Sequence, residues 1–424
     1  MVISLPKINF ETLYTPMLIF HTADWHLGNI FHRHERLDEH RHFFDWMLQQ
    51  LKEHQPDAMI VAGDVFDNAN PSAAAEKLYY EFLQQAVDAV SGLQIVIIAG
   101  NHDSAHRLEA PSPFLKANNI YVRGSIKQTA QGKPDFEHYL LPLSSKTDSE
   151  AKLVCMALPY LRACDYPSGL TTTEGIKYYF EKLKKALAQS DFKKLPTVVA
   201  AHFYAHGANI SDEHSERLVV GGQDLVETKV FDKYFNYVAL GHIHLHQQVG
   251  DNPKQPIYYS GSVLPMSFSE KHYHHGVRMV RMDDEGHVNT EFLNYTPLRK
   301  LISIPSKGAC TPEEILEAIN QLPDKENAAD YASWPYLELR VIEQQPEPTF
   351  LNDVTMALKN KAIHFCRIVR EYPQASGGVE TTAVSGIEST AIHLQPTDLA
   401  KRIYFQRFHN EMPDEMLSRL QSVL

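Results

Sequence analysis

Five short clusters combine carboxylates, imidazoles and an amide in a way that suits a divalent cation. They are Asp24-Trp25-His26, Gly63-Asp64, Gly100-Asn101-His102-Asp103, Ala201-His202 and Gly241-His242-Ile243-His244. Carboxylate oxygens and neutral imidazole nitrogens are the donors that cations such as Mn²⁺, Fe²⁺ and Zn²⁺ accept. An Asp-x-His or His-x-His pair on extended chain puts both side chains on one side, because the side-chain period of a strand is two. Glycine ahead of Asp64, Asn101 and His242 lets the chain turn sharply out of a strand and approach a ligand closely. One Gly-Asp or one His-x-His arises by chance, whereas five such clusters in order are hard to explain without a shared site.

Each cluster follows an apolar run. Strands are expected at residues 18–21, 58–62, 94–99, 152–157, 197–201, 237–240 and 257–259, with a late strand at 276–280, and helices at 37–53 and 72–90. This alternation predicts an α/β layered fold, with sheets flanked by helices. Side chains just past the carboxyl ends of neighbouring strands then converge on one crevice.

At 424 residues the chain is too long for one ordinary domain. Residues 1–16 read as an N-terminal extension, with Met17 a second candidate start, and residues 17–295 as the domain that carries the clusters. Residues 296–395 read as a small α/β capping domain. It has a helix at 312–321 opened by Thr311 and Pro312, a strand at 336–341, and polar loops at 324–333 and 376–389. Residues 396–424 predict a helical tail broken near Pro413.

Composition narrows the classes. With 43% hydrophobic residues the chain can bury a core, and no apolar run reaches the ~18 residues of a membrane span. Forty Lys and Arg against 52 Asp and Glu give a net charge of −12, which argues against coating nucleic acid by bulk electrostatics. A local basic surface or a bound cation could still receive phosphate. Cys155, Cys164, Cys310 and Cys366 form no CxxC pair, so a reducing, cytoplasmic setting is expected. No GxxxxGK[ST] loop occurs, so any dependence on ATP must come from a partner.

The order DxH, GD, GNHD, H, GHxH resembles the calcineurin-like metallophosphoesterases, with every position filled. The resemblance narrows to the SbcD-type nuclease subunits of SbcCD complexes, through HTADWHLG from His21, PDAMIVAGDVFD from Pro56, GNHDSAHRLEAPSPFL from Gly100, ALGHIHLHQ from Ala239 and YYSGSVLPMSFSE from Tyr258. It is close over residues 17–290 and a matter of layout beyond.

That resemblance implies two divalent metal ions, Mn²⁺ being the expected cofactor. One would be held by Asp24, His26, Asp64 and His244, the other by Asp64, Asn101, His202 and His242, with Asp64 bridging. His102 would contact the phosphate and protonate or stabilise the leaving oxygen, oriented by Asp103. The implied activity is metal-dependent hydrolysis of DNA phosphodiesters, exonucleolytic on duplex ends and endonucleolytic on single strands or hairpins, in DNA recombination, repair and replication. The implied partners are DNA and an SbcC-type ATPase that the 396–424 tail would dock, within a heterotetramer built on a homodimer of this chain. Residues 72–90 and 104–117 are candidate helices for the homodimer contact, although packing on their own sheet explains them more simply.

Arg107 and Lys271 are candidate phosphate contacts, and His206 and His246 candidate orienting partners for metal ligands. Asp67 stands where archaeal and eukaryotic relatives carry a histidine, so it is expected only to cap its loop. His32, His34, His40 and His42 read as a solvated polar segment, and His272, His274 and His275 as a loop cluster. Two alternatives share the motifs: a phosphoesterase of small phosphoesters or cyclic nucleotides, and a non-catalytic scaffold subunit. The second would require lost ligands, and none is missing.

Overall fold

The computed structural model describes residues 16–209, 226–231, 234–250, 256–328, 330–342, 349–371, 413 and 416–417. The expected loop at 376–389, almost all of the 396–424 tail and residues 1–15 of the N-terminal extension lie outside these. The chain forms two units, Met1–Pro373 and Gln374–Leu424. In the second, the described residues are Pro413, Met416 and Leu417, and the Pro413 carbonyl accepts from the backbone N–H of both others.

The first unit is a mixed α/β structure built on two six-stranded sheets. One runs in the order Val288–Tyr295, His275–Met282, Met17–Thr22, Ala58–Ala62, Gln94–Ile98, Ile120–Arg123. The last four of these strands are parallel, and His275–Met282 pairs antiparallel with Met17–Thr22. The other sheet runs Gln247–Gln248, Ile257–Tyr259, Tyr237–Gly241, Thr197–His202, Ala151–Ala157, Leu140–Ser144, parallel at its centre and antiparallel at both edges.

Period-two alternation explains how the sheets stack. Ile19, Ala58, Ile60, Val96 and Ile98 of the first sheet meet Leu153, Cys155, Val198, Ala200 and Ala239 of the second in one core. The alternate residues Phe20, Met59, Val61, Ile95 and Ile97 point the other way, against the helices Leu37–His54 and Ala73–Ala89. Strands buried on both faces read as continuous apolar runs, which is why they were legible.

The helix Thr172–Gln189 covers the outer face of the second sheet through Ile176, Tyr179, Phe180, Leu183 and Leu187. Sequence reasoning passed over it. Its signals were present, however: a Thr171/Glu174 capping box followed by apolar residues three and four apart. The expected helix at 104–117 is instead two short pieces, Ala105–Glu109 and Ser112–Leu115, because Pro111 has no N–H to continue the first.

A third sheet of three parallel strands follows, Leu301–Ile304, Tyr336–Ile342 and His364–Glu371. The helices Pro312–Asn320 and Phe350–Leu358 pack on it around Ile315, Ile319, Leu337, Leu339 and Val354. It is tied to the Leu37–His54 helix by a buried network. The Arg36 guanidinium bonds both oxygens of Glu39 at 2.9 Å, the Tyr336 hydroxyl donates to Glu39 at 2.7 Å, and Arg299 donates to the Tyr336 oxygen at 2.7 Å.

Two histidine expectations are corrected here. His40 is buried on the inner face of its helix, bonded to the Trp25 carbonyl at 2.9 Å. His275 begins a core strand and bonds the Ser262 carbonyl at 2.8 Å. Burial pushes each ring down to about 4, so both are neutral structural groups.

Candidate metal centre

All five clusters come together at the carboxyl ends of the two central sheets. Met17–Thr22, Ala58–Ala62 and Gln94–Ile98 deliver Asp24, His26, Asp64, Asn101 and His102 from one sheet. Thr197–His202 and Tyr237–Gly241 deliver His202, His242 and His244 from the other. Within these clusters three groups have potential ligand atoms within 4.8 Å of one another: Asp24 with His26 and His244, His26 with Asp64 and His102, and Asp64 with His202 and His242.

The backbone is contorted to achieve this. Asp24, His26, Asp64 and His242 all have positive φ, at 52°, 47°, 50° and 105°. Such residues cost stability and persist where surrounding structure over-determines them. Asp24 is braced by the backbone N–H of His242 at 2.9 Å, and Asp64 Oδ1 accepts from the N–H of His102 at 2.9 Å. Gly241 must be glycine for space, since a Cβ there would run into the Ala62 carbonyl and the His202 ring.

Hydrogen bonds on the far side of the rings fix which nitrogen carries a lone pair. His202 Nδ1 lies 2.8 Å from the Ala62 carbonyl, which can only accept, so that nitrogen holds the proton. His202 Nε2 then faces Asn101 Oδ1 at 3.0 Å and Asp64 Oδ2 at 3.3 Å. His242 Nδ1 also lies 3.0 Å from Asn101 Oδ1, and Asp64 Oδ2 is buried with no hydrogen-bond partner among the described residues. In the second group, His244 Nδ1 faces the Glu270 carboxylate at 3.2 Å while His244 Nε2 lies 3.3 Å from His26 Nε2. Acceptors crowded face to face are what a cation resolves, so the residues present fit a divalent metal.

The electrostatics agree. Burial pushes Asp24 up to about 6. Burial also opposes charge on His202, yet the adjacent Asp64 carboxylate outweighs it and lifts the ring to about 10. Asp64 is held far below the carboxylate range, because His202 beside it outweighs its own burial. The pocket thus favours positive charge between these groups.

Other expectations are redistributed. Asp103 does not orient His102. Its carboxylate accepts from the backbone N–H of Val65, Phe66 and Gly100, clamping the loops after two neighbouring strands. Burial, then Asp64 nearby, pushes it up to about 6. His102 Nδ1 is held instead by the Asp67 backbone carbonyl at 2.8 Å, and the Asp67 carboxylate lies 3.6 Å from His26 Nδ1. Asp67 therefore positions His102 through its backbone carbonyl.

Arg107 is engaged by Glu76 and Asn70, both at 3.0 Å, and Lys271 donates to Ser303 Oγ at 3.0 Å; neither is assigned a phosphate. The His206 side chain is exposed, and the His246 ring packs on Phe292 at 3.9 Å between centroids. Among the described residues neither bonds a donor of the cluster. Glu270 was missed by sequence reasoning, since a glutamate 26 residues beyond its histidine leaves no local signal.

Fold and donor set together define a metal-dependent phosphoesterase. Residues 17–246 match the family model described as calcineurin-like phosphoesterase, and residues 297–408 one described as the type 5 capsule protein repressor C-terminal domain. The SbcD subunit of the SbcCD nuclease of Rhodobacter capsulatus is 33% identical over 352 residues, 81% of this chain and 83% of that protein. Its namesake in Escherichia coli K12 is 33% identical over 268 residues, 60% of this chain and 62% of that protein. The chain belongs to the calcineurin-like phosphoesterase family, in its branch of SbcD nuclease subunits. Among the described residues no helix is long and apolar enough to cross a membrane.

Proposed function

We propose that the chain is the nuclease subunit of an SbcCD-type complex and hydrolyses DNA phosphodiesters with two divalent ions, Mn²⁺ being the expected pair. The observation that carries this is the shared position of Asp64, which belongs to two of the donor groups at once. Asp24, His26, Asp64 and His244 would hold one ion, and Asp64, Asn101, His202 and His242 the other. Bound there, such a pair lowers the pKa of water and offsets the charge that builds on a phosphodiester.

The chain's own residues do the rest. His102, with its Nδ1 proton held by the Asp67 carbonyl, keeps Nε2 available to give or take a proton at the leaving oxygen. Asp103 holds the loops at 63–66 and 100–103 at a fixed separation. We assign residues 17–295 to catalysis, 296–395 to a cap, and 396–424 to docking of an SbcC-type ATPase, within a heterotetramer built on a homodimer of this chain. DNA is the substrate of that assembly, cut from duplex ends and within single strands or hairpins.

The test is cleavage of a labelled linear duplex and a single-stranded circle with Mn²⁺, with metal content measured in parallel. His102→Ala is expected to keep its metal and to lose about 10²- to 10⁴-fold in rate, the range a positioned acid or base supplies. Loss of metal along with activity would make His102 a ligand instead. Intact DNA beside hydrolysis of a small phosphoester would keep the centre and change the substrate.

Glu270→Gln tests the support of His244. An amide offers the Nδ1 proton a weaker acceptor, so metal affinity is expected to fall about 10- to 100-fold in a competition with a chelator. An unchanged affinity would leave Glu270 without that role.

A further inference from the structure

A pocket of about 210 Å³ opens directly beside the metal donors, with His202 and His242 in its wall. Its other walls come from the segment after the strand Ala151–Ala157, from the start of the helix Thr172–Gln189, and from Phe203 and Tyr204. Pockets for drug-sized ligands run to roughly 300–1,000 Å³, so this one has room for a single ring system.

Its surfaces suit a planar ring. The Tyr160 ring stands edge-on to the His202 ring, 6.3 Å between centroids. Its backbone is tied down, the Tyr160 N–H donating to the Ala99 carbonyl at 2.9 Å, just ahead of the Gly100-Asn101-His102-Asp103 cluster. The Arg162 guanidinium lies 5.9 Å from the Tyr160 ring centre, and its side chain is exposed. Tyr166 and Phe203 add further rings, and the Tyr166 hydroxyl bonds the Thr172 hydroxyl at 3.2 Å.

We propose that this pocket takes the nucleobase next to the scissile phosphate, with Tyr160 as the stacking platform and Arg162 as its cationic rim. Its occupancy by substrate rests on the phosphodiester-hydrolase reading of the adjoining donors. Aromatic rings and an arginine plane accept every base through its π-face, so such a subsite selects nucleotides over other phosphoesters without selecting sequence. Stacking needs an unpaired base, which would favour frayed ends and single strands at this step. Tyr160 is then a specificity residue, acting on the substrate and not on the reacting bond.

The test compares two esters with the same leaving group, thymidine 5′-(4-nitrophenyl phosphate) and methyl 4-nitrophenyl phosphate, on the full chain with Mn²⁺. The wild type is expected to favour the thymidine ester in kcat/KM. Tyr160→Ala should lose about tenfold more on the thymidine ester than on the methyl ester, while Tyr160→Phe keeps the preference. An equal loss on both esters would overturn the proposal and make Tyr160 a support for His202.

Binding gives a second readout that needs no turnover. Thymidine 5′-monophosphate should bind the Mn²⁺-loaded chain more tightly than inorganic phosphate does, and Tyr160→Ala should erase the difference. Equal binding of the two by the wild type would also overturn the proposal. If neither ester is hydrolysed while the nucleotide preference stands, the hydrolase reading fails and the base pocket survives.

Discussion

Asp64→Asn is expected to leave a folded protein with less than about one part in 10⁴ of the wild-type nuclease activity and with most of its metal gone. Asp64 sits at φ 50° with its carboxylate fully buried, and Oδ2 faces His202 with no hydrogen-bond partner among the described residues. Asparagine tolerates that backbone and keeps an oxygen for the His102 N–H, so folding should survive. What disappears is the one negative charge that the two proposed ligand sets share. A bound metal contributes several kcal/mol of charge stabilisation and 1.36 kcal/mol is tenfold in rate, so a loss of about 10⁴-fold follows when both sites are compromised. Elemental analysis beside the DNA cleavage assay checks it. Full metal content with full activity would show that Asp64 is not the shared ligand.

The second large effect concerns stability. Glu39→Ala removes the carboxylate that neutralises Arg36, whose side chain is 0% exposed. The guanidinium's remaining hydrogen-bond acceptors among the described residues would be the Pro265 carbonyl and the Met266 sulfur. Breaking a buried pair by deleting one partner costs about 3–5 kcal/mol, because an uncompensated charge stays behind. A fall of roughly 10 °C in the first thermal transition is expected, with the third sheet loosened because Tyr336 also loses its acceptor and Arg299 its ion-pair partner. A shift within a degree or two would mean that the network contributes nothing net.

The same pair sets a pH dependence. Burial opposes charge on Glu39, but Arg36 outweighs it and holds the carboxyl below its usual value. The stabilisation is therefore complete above the ordinary glutamate pKa and is lost as acid carries the pH down through the lower folded value.

Much of this was legible locally. The apolar runs at 58–62, 197–201 and 257–259 lie within a residue of the observed strands, and the first two announce themselves because a strand buried on both faces reads as a nearly continuous apolar run. Thr311 and Pro312 open their helix by a capping box that spans four residues. His40 misled because its neighbours Arg36, Asp38, Glu39 and Arg41 look solvated, while Arg36 and Glu39 are buried in the core as an ion pair that Arg299, far along the chain, joins.

The donor types, their order, and the strand end on which each one rides depend on residues a few positions apart, so they are written along the chain. Long-range packing settles that the strands divide between two facing sheets and that Asp24 is braced by the N–H of His242, 218 residues away. It also decided that Asp67 and not Asp103 holds His102, and that Glu270 backs His244. The difference is one of range. Periodicity and capping act within a turn or a pleat, whereas a hydrogen-bond partner at a strand end is chosen by which strands become neighbours, and that is settled by burying whole faces at once.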